Sequence, residues 1–289
     1  MKIILSFTGN YSLVKSISLA AKAAFIEGFS NPQIAEIYLA FPLEGSWKSV
    51  SVKVKEEPNQ LTMTVLDNPE NATIEAIEAQ IKRILCLDVD GTAFTEVGKK
   101  DVVIEKLQEQ QRGLRPVLFN SPYEAAARAI ITHQLPLKVA ANITNRIAKD
   151  FGTKLKTEQG EIYAFPTPNQ LIELPFINGL AQRKVEQLRK LGKVADESWF
   201  RTEHLKSLNR EEAMEKLQSI AGIGPFSAEL IMVRGVGDAD YFPLTEKRLH
   251  NAMISTYNLE KEPEIKVLQA IAEQWQPFRS WAGLLLRNA

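Results

Sequence analysis

The stretch Leu217-Gln218-Ser219-Ile220-Ala221-Gly222-Ile223-Gly224-Pro225-Phe226-Ser227-Ala228 sets two glycines between two helical segments. Asn209 and Glu212 open the first helix with capping logic and carry it to about Ser219. Pro225 presets the first turn of the second. Glycine at 222 and 224 allows a tight turn and lets another molecule approach the main chain closely. The amides of Phe226 and Ser227 then have no intrahelical acceptor and point outward, which suits a phosphate oxygen. On the other side of the turn, the backbone carbonyls of Gln218, Ile220 and Ile223 can hold a monovalent cation that bridges to the same phosphate. Read more plainly, Gly222-Ile223-Gly224 is a helix C-cap and connector. A dinucleotide fingerprint fits less well, because it needs a preceding strand and a third small residue in register.

Outward from this hairpin, the chain divides in character. Residues 1 to 100 read as a small antiparallel sheet with helices: a strand at Ile3 to Phe7, a helix from Leu13 to Phe25, and alternating Val50, Val52 and Val54 paired with Leu61, Met63 and Val65 across a turn at 56–60. After about Gly98 to Asp101, helix start signals dominate. Ser121, Pro122 and Glu124 form a capping box with proline at the first helical position, opening a helix to about His133. Another follows Pro136 and stops before Gly152. From 120 onward the expectation is almost unbroken helix. The fold class is therefore α+β, with a support domain at 1–100 and an all-helical domain at 101–289 whose final helices pack back on its first.

Composition bounds the possibilities. Of the 289 residues, 45% are hydrophobic and 24% charged, as in ordinary globular proteins. Lysine plus arginine and aspartate plus glutamate number 35 each, so any contact with a polyanion must rest on a local patch and backbone donors. The single cysteine, Cys86, excludes a disulfide framework or a cysteine-rich metal site within the chain. No run approaches membrane-spanning length, and the start MKIILSF meets polar residues too soon for a signal segment. A cytoplasmic, nucleoid-associated monomer is expected.

The residues from Leu217 to Asn251, including Tyr241-Phe242-Pro243-Leu244-Thr245-Glu246-Lys247-Arg248-Leu249, resemble the helix-hairpin-helix (HhH-GPD) DNA glycosylases, and among them the DNA-3-methyladenine glycosylase II type. Ile131-Thr132-His133-Gln134-Leu135, Phe165-Pro166-Thr167-Pro168 and Trp275 to Trp281 extend the likeness over 115–289, and 1–100 resembles the family's TATA-binding-protein-like domain more loosely. The resemblance implies a monofunctional DNA repair enzyme that flips alkylated purines out of double-stranded DNA and hydrolyses the N-glycosidic bond without a required cofactor. A sodium or potassium ion at the hairpin is the one metal it suggests. Gln134 and Leu135 match the wedge that fills the vacated stack.

Glu246 stands where the family places its catalytic aspartate. Thr245 reads as the N-cap and Glu246 as a first-turn residue of the following helix. The extra methylene displaces the charge within a site that depends on placement. A non-catalytic binder of damaged DNA is therefore the alternative. The base pocket would draw on Phe226, Leu230, Trp281 and Arg287; Leu230 replaces a tyrosine and Arg287 a tryptophan of the resembled enzyme. Tyr123 and His133 are further aromatic candidates with ready structural readings. Phe226 occupies the place of the lysine that lyases of this superfamily use, so Schiff-base chemistry is not expected. One competing signal remains. Leu85 to Thr92 resembles the nucleophile loop of haloacid-dehalogenase-type phosphatases, with Asp88 as nucleophile, Asp90 as acid-base and Gly237-Asp238 as a magnesium motif. That fold needs alternating strands and helices after the loop, which 120–289 does not offer.

Overall fold

The computed structural model describes residues 2–22, 30–31, 33, 35–58, 60–260 and 263–289. An antiparallel sheet of order β1-β5-β4-β3-β2 forms the first unit: β1 Lys2–Leu5, β2 Ser30–Asn31, β3 Glu36–Pro42, β4 Ser49–Glu57 and β5 Gln60–Asp67. The alternation read from sequence sets its register, with Val52 opposite Val65 and Val54 opposite Met63, a bulge falling between Ser51 and Val52. Its inner face packs Ile37, Leu39, Phe41, Val50, Val52 and Val54 against helices α1 (Leu13–Lys22) and α2 (Ile74–Ile84). The expected extension of α1 to Phe25 lies outside the described residues, as does Asn59 in the β4–β5 turn.

The expectation of nearly unbroken helix beyond 120 needs one correction. Between α5 (Pro122–Thr132), α6 (Leu137–Phe151) and the later helices, strands β6 (Thr153–Thr157) and β7 (Gly160–Ala164) form an antiparallel hairpin. It docks on the outer face of the N-terminal sheet, where Leu155, Ile162 and Ala164 cover Tyr38 and Ala40. Ser51 seals the seam by donating to the Lys156 carbonyl at 2.7 Å, and Lys156 donates its amide to Asp67 at 2.9 Å. This second layer explains why β3 is buried along its whole length and reads as an apolar run after Glu36.

Two further cores complete the molecule. One gathers residues of α5 and α6, α7 (Pro168–Ile172), α8 (Gln182–Val194), α9 (Thr202–Ser207), α10 (Arg210–Gln218) and α11 (Pro225–Leu230). The other joins α3 (Gly91–Gly98) and α4 (Val102–Gln110) to α12 (Lys247–Thr256), α13 (Ile265–Ala272) and α14 (Arg279–Leu286). The chain therefore returns at its end to residues 86–118. Buried arginines fasten the cores together through carbonyls. Arg83 donates to Gly235 at 2.6 Å, and Arg115 donates to Cys86 at 2.8 Å and to Asn10 at 3.2 Å. Among the described residues no helix is long and apolar enough to cross a membrane.

Candidate DNA interface and active site

The hairpin forms as its residues dictate. Asn209 accepts from the Glu212 amide at 2.9 Å to start α10. Ile220 and Ile223 turn inward and are buried, and the Ile223 amide donates to the Ile220 carbonyl at 3.0 Å. Gly222 holds φ +94°, and a Cβ built there would meet the Gln187 side chain of α8 at 2.7 Å. Gly224 is extended, with φ −97° and ψ −177°, and among the described residues nothing lies within 4 Å of a Cβ built on it. Open space at that position leaves room for a ligand to approach the main chain. Pro225 takes the first helical position, and the ladder begins only with Ala228, whose amide donates to Gly224 at 2.9 Å. The amides of Phe226 and Ser227 precede that bond and have no intrahelical acceptor. On the other side, Gln218 ends α10, where amide donors for the last carbonyls run out, and Ile220 keeps one carbonyl lone pair beyond its bond from the Ile223 amide. That donor set suits a weakly held monovalent cation.

After α11 the chain widens into a π-helical turn, Ile231–Val236, with the amides of Gly237 and Asp238 both reaching the Met232 carbonyl at 3.1 Å. Such turns re-aim side chains. Arg234 emerges from this one onto a cavity wall, where burial draws its guanidinium down to about 10 and the charge of Arg287 adds to the shift.

Glu246 lies at the N-terminus of α12, with one change from the expected arrangement. The Thr245 hydroxyl donates to buried Glu229 instead of capping the helix. Glu246 becomes the N-cap itself, accepting from the Arg248 amide through Oε1 at 3.2 Å. Its Oε2 faces a guanidinium nitrogen of Arg287 at 3.3 Å. Burial pulls the Arg287 pKa below the ordinary arginine range, against the favourable charge of Glu246.

Glu246, Arg287, Phe226 and Leu230 all line one cavity of about 500 Å³. Its size falls in the range of small-molecule sites. Phe226 is 50% exposed, so it belongs both to the hairpin surface and to the cavity. Lining residues not singled out from sequence include Leu137, Arg128 and Arg234. Arg128 pairs with Glu124 at 2.8 Å on the same helix, a spacing the sequence displays; its place on the cavity follows from tertiary packing alone.

Other expected positions lie elsewhere. Trp281 is 3% exposed and packs between Phe94 at 5.3 Å and Phe278 at 5.4 Å, with Arg115 over its ring; it is a core residue and not on the cavity wall. Tyr123 is equally buried, donating to the Pro166 carbonyl at 2.9 Å. His133 is the C-cap of α5, and Lys184 of α8 donates to its carbonyl and, at 2.8 Å, to that of Ile131. This lysine braces the turn in which Gln134 sits exposed at φ +55°. Leu135 is half-buried against the helical core.

The phosphatase reading finds no support in this geometry. Asp90 caps α3, accepting from the Thr92 amide at 2.9 Å, and Leu85-Cys86-Leu87 follows a helix in a molecule whose sheets are antiparallel. Gly237 is the left-handed C-cap of the π turn, and Asp238 accepts from the Asp240 amide at 2.9 Å.

No family model matches the chain. Individual relatives do. It is 29% identical over 182 residues to YfjP of Bacillus subtilis, provisionally named a DNA-3-methyladenine glycosylase, spanning 62% of each chain. It is 25% identical over 242 residues to AlkA of Mycobacterium tuberculosis, named with similar reserve a bifunctional transcriptional activator/DNA repair enzyme. That match takes in 82% of this chain and 47% of the relative, so in both cases the chain spans less than two thirds of the relative's length. The structure superposes on a 3-methyladenine DNA-glycosylase from Archaeoglobus fulgidus with a TM-score of 0.78 at 25% identity, over 99% of this chain and 97% of that one. With the hairpin, the carboxylate at the head of the following helix and the sheet domain all in one arrangement, the chain shares the fold of the helix-hairpin-helix DNA glycosylases and is similar in sequence to proteins named DNA-3-methyladenine glycosylases.

Proposed function

We propose that the chain is a monofunctional DNA N-glycosylase that extrudes alkylated purines of the 3-methyladenine type from duplex DNA and hydrolyses their glycosidic bond. The observation that carries this reading is the convergence of hairpin and carboxylate: Phe226 of the hairpin and Glu246 line the same cavity. A phosphate held by the Phe226 and Ser227 amides anchors the strand beside that opening. Carbonyls of Gln218, Ile220 and Ile223 would hold a monovalent cation, which would supply positive charge beside the hairpin. Gln134 and Leu135 enter the stack as the nucleotide leaves it, and its base meets Phe226 and Leu230.

In the chemical step the C1′–N bond of the nucleotide breaks and its electron pair leaves with the base, while a water oxygen bonds to C1′. Positive charge grows on the sugar, and the Glu246 carboxylate opposes it and takes or directs the water proton. With Phe226 where a lyase would carry lysine, no amine stands there to attack the sugar. The test is release of free 3-methyladenine or 7-methylguanine from alkylated duplex by the purified protein. Duplex binding with no release would overturn the enzyme reading in favour of a damage binder.

A further inference from the structure

A buried carboxylate outside the cavity chemistry is committed to the segment that carries Glu246. Glu229, on α11 of the hairpin, is 3% exposed. It accepts from the Leu244 amide at 2.8 Å through Oε1, and from the Thr245 amide at 3.0 Å and the Thr245 hydroxyl through Oε2. Arg210, the first residue of α10, stands 3.7 Å from the same carboxylate. That arginine also donates to the Phe242 carbonyl at 2.7 Å and lies over the Tyr241 ring at 4.2 Å. Both helices of the hairpin therefore grip residues 241–245, one through a cation and one through an anion.

Burying a carboxylate is unfavourable unless donors meet its oxygens. Here they are met by the two residues immediately before Glu246. The Thr245 hydroxyl is taken from its natural capping place, which passes the N-cap to Glu246. Resting on the glycosylase reading, we infer that Glu229 is a positioning residue for Glu246: it sets the carboxylate against the cavity and makes the phosphate grip and the reacting site one mechanical unit. A displacement of even about 1 Å at such a site costs up to about a hundredfold in rate.

In Glu229→Gln one acceptor oxygen becomes an amide that faces a donor. Hydrogen exchange at the Leu244 and Thr245 amides is expected to quicken about tenfold or more, with exchange in α8 unchanged. Single-turnover base release is expected to fall about tenfold or more, while half-saturation by duplex moves less than about twofold. Thr245→Val should give a weaker version, and the double variant should be no slower than Glu229→Gln alone, because both remove one clamp. Should Glu229→Gln fail to fold, Thr245→Val carries the test through the same two readings. Unchanged exchange at 244–245 overturns the clamp, and a release rate equal to wild type overturns the positioning role while leaving the glycosylase reading intact. If the wild-type protein releases no base, that reading fails instead, and the exchange measurement still decides the clamp.

Discussion

The guanidinium of Arg287 stands 3.3 Å from the carboxylate of Glu246, and both line the same cavity. These are two of the positions at which the chain departs from the pattern it resembles, a glutamate for an aspartate and an arginine for a tryptophan. The longer acid meets a cation at the end of α14. Its orientation is then set from two sides, by Arg287 through one oxygen and by the Arg248 amide through the other.

Arg287→Met tests what the cation does to substrate choice. The pair is partly exposed, 29% and 19%, so its loss should change stability by no more than about 1 kcal/mol. Removing positive charge from the cavity should raise release of cationic 7-methylguanine relative to a neutral base such as hypoxanthine. An unchanged ratio of the two release rates would show that Arg287 does not set selectivity.

The two hairpin glycines should separate fold from binding. Gly222→Ala forces a side chain into φ +94° and against Gln187, so thermal stability should drop by about 1–3 kcal/mol. Gly224→Ala meets no atom of the described residues and should melt within about 0.5 kcal/mol of wild type. If a phosphate approaches there, duplex affinity should nevertheless fall. Retained affinity in Gly224→Ala would argue against close approach at this point.

Arg115 should be among the most sensitive structural positions. It is 1% exposed and donates to carbonyls at Asn10, Cys86 and Val89, tying the first strand's exit to the start of the helical region. Truncation to alanine leaves several buried acceptors unmet, and denaturant unfolding should report a loss of about 3 kcal/mol or more. Arg115→Lys should recover only part, since an ammonium cannot span those acceptors as a fork does.

Asp238 gives a pH signature. Burial raises its pKa above the ordinary aspartate range, so the folded state binds this proton more tightly than the unfolded chain does. Stability from this group is full below the unfolded value, about 4, and is lost as pH rises through the raised folded value. Asp238→Asn, which can still accept the Asp240 amide, should match wild type near pH 3, exceed it increasingly across that window and stay above it by a constant amount at higher pH. Parallel stability curves for the two proteins would contradict the assignment.

Much of the fold was legible because local signals agreed with tertiary structure. Ser121, Asn209 and Pro225 start helices where their chemistry indicates, and Val52 and Val54 face the core at period two. The β6–β7 hairpin was not legible. Its five-residue strands bury only Leu155 on one side and Ile162 with Ala164 on the other, among charged neighbours, and their partner is a sheet whose strands lie far earlier in the chain, with Asp67 bonding Lys156 and Tyr38 packing on Leu155. Half of the Ser121 box also went elsewhere, since Glu124 accepts from Asn120 and Arg128.

At the site, motif spacing brought Phe226, Leu230, Glu246 and Arg287 to one cavity. It misplaced Trp281, because an aromatic near a pocket helix reads the same whether it faces the cavity or the core. It shifted the α12 cap by one residue, because the competing acceptor for Thr245 is Glu229, sixteen positions away. Leu137, Arg128 and Arg234 reach the cavity from three different helical segments, and no spacing along the chain records that meeting.

On the proposed function, Glu246 supports base release, and its loss leaves the hairpin's hold on DNA in place. It is tested most directly by single-turnover release of 3-methyladenine and duplex affinity, measured together in wild type, Glu246→Gln and Glu246→Asp. The expected result is a fall of about a hundredfold or more in release for Glu246→Gln, with affinity within about threefold of wild type and measurable release retained in Glu246→Asp. Release by Glu246→Gln at the wild-type rate would contradict it.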